Sequence, residues 1–366
     1  MRDTDAVHEA ERLMQICNAC RYCEGYCAVF PAMELRRDFS KGDLSYLANL
    51  CHDCRSCYYA CPYAPPHEFA LNLPQTFARL RADSYAEYAW PRSLAGLFRR
   101  NHMFVSLATS ISTALVLLLT AKLQPPAVLY VAQNAPGAFY RVIPKAVMVG
   151  VGGLTFGFAL LAFGVGLRNG WRKTGGGPIL RTRPLLKTLG QVLALRNLGG
   201  GGHGCNDLDG GFSQSRRYFH QALLYGFLLC FASTSTAAIY ENVFGNIAPY
   251  PFFSLPVLLG TAGGIGMMAG TMGLAWIKMV RDPTPTAKAL QGADYSLLML
   301  LFMTAATGCL LLALRGTAMM GLLLALHLGF TLSLFLTLPY SKFIHGLYRS
   351  AALLRYAVER SNRNLH

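Results

Sequence analysis

Eight cysteines constrain this chain more than any other feature. Cys17, Cys20, Cys23 and Cys27 form one C-x2-C-x2-C-x3-C run, and Cys51, Cys54, Cys57 and Cys61 form a second. Three thiolates packed two residues apart on a tight loop can hold three corners of an iron–sulfur cubane, while the fourth ligand comes from the other run in two-cluster ferredoxins. A crossed assignment therefore gives Cys17, Cys20, Cys23 and Cys61 to one [4Fe-4S] cluster, and Cys51, Cys54, Cys57 and Cys27 to the other. Pro62 follows Cys61, as the pattern expects. After Cys27 stands Ala28 instead, with Pro31 arriving slightly later.

Two blander readings compete. Soft thiolates also suit tetrahedral zinc, and paired cysteines in a secreted segment form disulfides. Zinc knuckles, however, usually pair two C-x2-C units across a longer gap, whereas each run here is a complete ferredoxin signature. Against disulfides, Met1 to Gln15 is charged and has no apolar stretch of the kind a secretory signal carries.

The surroundings of the cysteines look helical. Asp5 to Gln15 and Phe39 to Leu50 carry helix formers with apolar residues at helical spacing, and Phe69 to Glu87 continues in that style. The expected head is a helical two-cluster ferredoxin-like domain over residues 1–90, ending near Trp90-Pro91.

The remainder belongs in a bilayer. Of 366 residues 53% are hydrophobic and only 14% charged, with a mean hydropathy of +0.32; soluble domains carry about a quarter charged residues. Six runs approach the roughly 20 residues needed to span hydrocarbon: Met103 to Ala121, Ala146 to Leu167, Tyr218 to Tyr240, Leu255 to Ile277, Ser296 to Leu314 and Ala318 to Leu338. The predicted architecture is all-α, with the six-span domain over residues 91–345 and a basic tail over 346–366.

Cations set the expected orientation. They gather at Arg99-Arg100, along the 168–217 loop (Arg172, Lys173, Arg181, Arg183, Lys187, Arg196, Arg216), at Lys278, Arg281 and Lys288, and in the tail at Lys342, Arg349, Arg355, Arg360 and Arg363. The opposite connections hold few: Lys122, Arg141, Lys145 and Arg315. Head, long loop and both termini are therefore expected on the cytoplasmic side of a bacterial inner membrane. The net charge of +15 has the same origin. Its cations cluster at span ends without interleaved aromatic platforms, which excludes a nucleic-acid reading and leaves attraction to anionic lipid.

Ionisable groups inside a membrane are costly and usually functional. His220 opens the third span, His327 sits near the middle of the sixth, and His345 lies just beyond it, past Pro339. If the helix ran on through Tyr340, the 18-residue separation of His327 and His345 would put both imidazoles on one face, about 27 Å apart. That arrangement suits two levels of b-type haem. His220 with His345 is the simplest bis-histidine pair; a helix break at Pro339 would bring His220 with His327 into consideration. His327 otherwise lacks a histidine partner, and Met267, Met268, Met303 or Cys230 could serve. The bland reading of each histidine is a satisfied polar group or a helix–helix hydrogen bond, and His102 marks the interface.

Pro178 to Leu198 reads as an amphipathic helix on the membrane surface. The stretch Gly199 to Asp207 (GGGGHGCND) follows; it lacks the Gly-Lys-Ser/Thr ending of a phosphate loop. Its backbone freedom suits close approach to a cofactor or quinone, or a linker. His203 and Cys205 are further ligand candidates.

The double cysteine run, GGGGHGCND, RRYFHQALLYGFLLCFA, YPFFSLPVLLGTAGGIG and HLGFTLSLFLTLPYSKFIHGLYR together resemble the tricarballylate utilization protein B family, also called citrate utilization protein B. The resemblance covers nearly the whole chain. It implies an electron-transfer subunit with two [4Fe-4S] clusters on the eight cysteines and b-type haem, one or two, with haem roles for His220, His327 and His345. It also implies a partner, an FAD-dependent dehydrogenase that oxidises tricarballylate to cis-aconitate and is reoxidised through the membrane, with quinone as acceptor. No G-x-G-x-x-G follows a strand in this chain and no soluble catalytic domain is evident, so the organic chemistry falls to that partner. Rivals are a tricarboxylate transporter, which would need charged or broken helices at the bilayer midplane, and an iron–sulfur sensor with a membrane anchor. Gly263-Gly264-Ile265-Gly266 is the one suggestive break, and small residues there also fit close helix packing.

Overall fold

A computed structural model describes residues 3–133, 135–178, 182–208 and 210–363. Arg181, counted above among the loop cations, and Met1 lie outside the described residues. The described residues form helices and no strand; Cys205 and Ser213 make one isolated antiparallel bridge.

The head holds α1 (Asp3–Cys20), α2 (Val29–Met33), α3 (Lys41–Leu50), α4 (Ser56–Tyr59) and α5 (Leu73–Tyr88). Local signals set their starts. Ser40 accepts the Asp43 N–H ahead of α3, and Asn72 accepts the Gln75 N–H ahead of α5, whose first turn carries Pro74. Leu13, Met14, Phe30, Met33, Leu47 and Phe77 are fully buried in a core against which the cysteine loops pack. Those loops turn tightly: Arg21, Asp53 and Arg55 all take positive φ (55°, 55° and 65°), a region non-glycine residues enter only when surrounding contacts hold them there.

Six helices are long and apolar enough to cross a membrane: α6 (Asn101–Leu123), α9 (Lys145–Lys173), α11 (Ser215–Asn242), α12 (Leu255–Val280), α13 (Gln291–Leu314) and α14 (Met320–Thr337). Between α6 and α9 lie the short α7 (Pro126–Leu129) and α8 (Ala138–Val142). Outward leucines such as Leu107, Leu118 and Leu154 are more than half exposed, as lipid-facing side chains are. The tightest pair is α11 with α12. A Cβ at Gly226 would stand 2.5 Å from the Met267 nitrogen, and one at Gly270 would stand 2.5 Å from the Leu223 nitrogen. Ala222, Gly226 and Cys230 recur every four residues and let the backbones approach. α12 runs unbroken through Gly263 to Gly266, so that stretch is a packing surface rather than a broken helix.

The last span is where the helix breaks. α14 ends at Thr337, a 3-10 turn covers Leu338–Tyr340, and Ser341 is extended before α15 (His345–Arg363) begins. His327 and His345 therefore do not share one continuous helix face: Pro339 cannot supply the amide that would carry the helix on. α15, the segment read as a tail, packs on the head. Ala352 and Leu353 enter the head core, and Arg36 and Arg355 bind Asp43 and Glu359 at 2.5–3.1 Å.

One side of the bundle collects the head, the long loop with α10 (Thr182–Leu193), the 281–290 connection and α15. Arg55 donates to the Asp282 carbonyl at 2.9 Å, Tyr59 to the Asp282 carboxylate at 2.6 Å, and Gln75 to the Thr286 carbonyl at 3.2 Å.

Candidate redox site between head and bundle

The loops bring thiols of the two cysteine runs together. The thiols acting electrostatically on Cys17 are Cys23, Cys61 and Cys20; those acting on Cys57 include Cys54, Cys51 and Cys27. Cys61 thus stands near Cys17 and Cys23, and Cys27 near Cys57, while Cys23 also faces Cys54 and Cys57. The two runs are neighbours, since the Cys23 Sγ lies 4.0 Å from the Cys57 carbonyl. Depth separates them: Cys20 is exposed, whereas Cys51 and Cys54 are buried.

Burial, followed by the neighbouring sulfurs, pushes the Cys17 and Cys23 thiols up to about 12. Four thiolates gathered this way ionise together only around a strongly cationic core, which is what an iron–sulfur cluster provides. Among the described residues no three His, Cys, Asp or Glu side chains converge on a site for a single metal ion. The donor set fits a cubane, which spreads its ligands.

The loop of Cys51 to Cys54 is clamped by arginines from both head and bundle. Arg349 donates to the Cys51 carbonyl at 2.9 Å, and Arg81 to the same oxygen at 2.6 Å. Arg216 donates to the Asp53 and His52 carbonyls at 2.6 and 3.0 Å. The glycine-rich loop also docks here, through the Asn206 N–H to the Cys54 carbonyl at 2.9 Å. Burial alone would raise Asp53, but Arg216, Arg55 and Arg81 hold it below the usual carboxylate value.

Arg216 lies one helical turn before His220, and Arg349 one turn after His345, so the same two helix starts deliver two imidazoles. The His220 and His345 ring centres are 6.1 Å apart with planes at 71°. Two imidazoles this close would be the residues to hold one haem iron between them. The His345 Nδ1 lies 2.6 Å from the Lys342 carbonyl; an N–H there leaves Nε2 as the ligating atom. The His220 Nδ1 is buried without a protein partner.

His327 is placed elsewhere. Its Nδ1 faces the Thr307 hydroxyl at 3.2 Å, and it packs on Gly308, a helix–helix contact between α13 and α14. Among the described residues no second histidine meets it. Cys205 is buried and gives its thiol to the Leu198 carbonyl at 3.1 Å, while the His203 ring rests 5.6 Å from Phe212. His102 packs against Gly292.

Sequence reading took Arg216 and Arg349 as orientation signals and missed their contacts with the cluster loop. Their four-residue offset from the two histidines was the available clue.

The family model for citrate utilization protein B matches residues 96–365, and that for the citrate utilization protein B Fer4-like domain matches residues 10–87. A relative from Escherichia coli, called citrate utilization protein B, is 44% identical over 364 residues, 98% of this chain and 93% of its own length. No solved structure matches the chain.

Proposed function

The chain belongs to the citrate utilization protein B family, and on that premise we propose that it is the membrane electron-transfer subunit of a tricarballylate or citrate oxidation system. It takes electrons at its head from a partner FAD-dependent tricarballylate dehydrogenase and delivers them to quinone. The head faces the cytoplasm of a bacterial inner membrane.

Cys17, Cys20, Cys23 and Cys61 would hold the outer [4Fe-4S] cluster; Cys51, Cys54, Cys57 and Cys27 the inner one; His220 and His345 one b-type haem. Bound there, these groups supply one-electron carriers, which divide a two-electron flavin oxidation into single steps. The chain's own residues fix their order. Exposed Cys20 opens the outer quartet to a docked partner, buried Cys51 and Cys54 shield the inner quartet from water, and Arg349 ties the inner loop to the helix that begins at His345. His327, held by Thr307, serves the packing of α13 on α14.

The observation that carries this reading is that line: thiols from exposed Cys20 inward to buried Cys51 and Cys54, then the histidine pair, crossing from head into bundle. The test is a dithionite-reduced minus air-oxidised optical spectrum of anaerobically purified protein. A sharp b-type alpha band is expected above a broad cluster bleach, with the band lost in His220→Ala and in His345→Ala but kept in His327→Ala, and the bleach weakened in Cys20→Ala. A bleach without any haem band would reduce the protein to an anchored iron–sulfur sensor, and bound zinc in place of iron would end the reading altogether.

A further inference from the structure

A cleft opens where the underside of the head meets the bundle, with a volume of about 650 Å³ counting its mouth. Its floor is the start of α13 and its roof is α5. Phe98, Leu290, Ala82 and Ala293 supply apolar wall, and Arg81, Tyr85, Asn101, Arg281, Asp294 and Lys342 supply polar atoms.

The cleft touches both candidate cofactor sites. Asp53 lines it, and the Asp53 N–H lies 3.4 Å from the Cys51 sulfur of the inner quartet. Lys342 lines it too, and the Lys342 carbonyl is the partner of the His345 Nδ1.

Both of its carboxylates are paired, and its cations are engaged. Arg281 faces Asp53 at 3.9 Å, Asp294 sits between Lys278 (2.6 Å) and Lys342, and Arg81 is committed to the Ala48 and Cys51 carbonyls at 3.1 and 2.6 Å. What remains is unsatisfied hydrogen bonding. The Tyr85 hydroxyl, the Arg281 Nε and the Asn101 Oδ1 are buried without partners in the protein, although Asn101 donates through its Nδ2 to the Tyr340 carbonyl. Two donors and one acceptor between apolar walls suit a flat ring bearing carbonyl oxygens.

We propose that this cleft is the quinone-reduction site, with Tyr85 and Arg281 donating to a quinone oxygen and Asn101 accepting from the hydroquinone. The proposal rests on the electron-transfer reading above. In the step, each of two C=O groups becomes C–OH: two electrons arrive singly from the one-electron carriers of the head, which the partner's reduced flavin replenishes, and two protons come from water on the head side. Lys342 and Asp294, at the mouth of the bundle, are placed to pass them.

The test uses full-length protein in liposomes and an azido-substituted benzoquinone with a decyl tail. Photolabel is expected on peptides covering 78–101 and 281–294, competed by unlabelled decylbenzoquinone. Ala82→Trp and Ala293→Trp, which fill the cleft, should each cut that labelling at least tenfold while the reduced-cluster EPR signal stays as in wild type. Tyr85→Phe, which leaves the packing alone, should raise the KM for decylbenzoquinone about tenfold, the worth of one hydrogen bond. Label on other segments, label that survives both tryptophans, or label competed by anionic lipid instead of quinone would overturn the placement. Label in the cleft of a protein without reducible clusters would instead sink the electron-transfer reading and leave the site standing.

Discussion

In the head, Cys51 and Cys54 are buried at turns that Asp53 and Arg55 enter with positive φ; in the bundle, Gly226 and Gly270 are buried because no Cβ fits between α11 and α12. The first region spends its tight geometry on presenting sulfur to a ligand, so its cysteine loops depend on something binding there. The second spends it on bringing two backbones together, and needs only its own atoms and lipid. Arg216, Arg349 and α15 join the two regions, so a disturbance in one reaches the other through a few hydrogen bonds to carbonyls of the Cys51–Asp53 segment. The contrast teaches that the line from buried cysteines to histidines is assembled by docking: neither region alone holds both Cys51 and Cys54 and the pair His220 and His345.

The largest expected effect follows from removing iron. Anaerobic chelation should drop amide-exchange protection across the cysteine loops and α4 to near that of free chain, while α11 and α12 keep theirs, because metal binding and local folding are linked. Full protection of both regions after iron loss would erase the contrast. A smaller effect tests the opposite region. Gly226→Leu should cost about 2–3 kcal/mol, the upper part of the range for overpacking, read as a fall in the unfolding temperature of the solubilised protein with cluster absorbance intact at low temperature. Gly157→Ala, whose added Cβ meets nothing within 4 Å, should instead stabilise by about 0.5–1 kcal/mol; equal behaviour of the two variants would refute close packing as the cause.

The smallest effect concerns the joint. Burial would raise the Asp43 carboxyl, but the hydrogen bonds from Ser40 and Arg36 and the charges of Arg36 and Arg355 hold it below its ordinary value. A depressed folded value means its contribution is fully present above the unfolded value of about 3.9 and is lost as pH falls through the lower folded one. Exposure of the pair limits this to about 1 kcal/mol or less. Exchange of α15 amides should therefore quicken below about pH 4 in wild type and show a weaker pH dependence in Asp43→Asn; identical profiles would remove the ion pairs from the account of how α15 is held.

Much of this was legible in the residues. The spacing of the eight cysteines, the six apolar runs and the skew of Lys and Arg are local properties, and each maps onto an element within a few residues. The proximity of the two runs was legible too, since a loop that short has room for three corners of a cubane and must borrow the fourth. The course of α14 was harder to read: Pro339 is visible, but whether a helix bends and continues or stops depends on neighbours that re-satisfy the freed carbonyls. His327 shows the same difficulty, because an apolar helix says nothing about which of its faces meets Thr307 and Gly308 of α13.

The sequence by itself determined the chemistry at each place: which atoms are sulfur or imidazole, which segments prefer hydrocarbon, and which ends carry charge. Only the tertiary structure decided which places meet. That Arg349 reaches Cys51, that His220 faces His345, and that a cleft lined by Tyr85 and Asn101 opens beside both depends on contacts between residues more than a hundred positions apart. Periodicity and spacing are short-range signals and carry no information about such pairings, which are settled when the head closes onto the bundle and each buried polar group takes the partner that packing puts within reach.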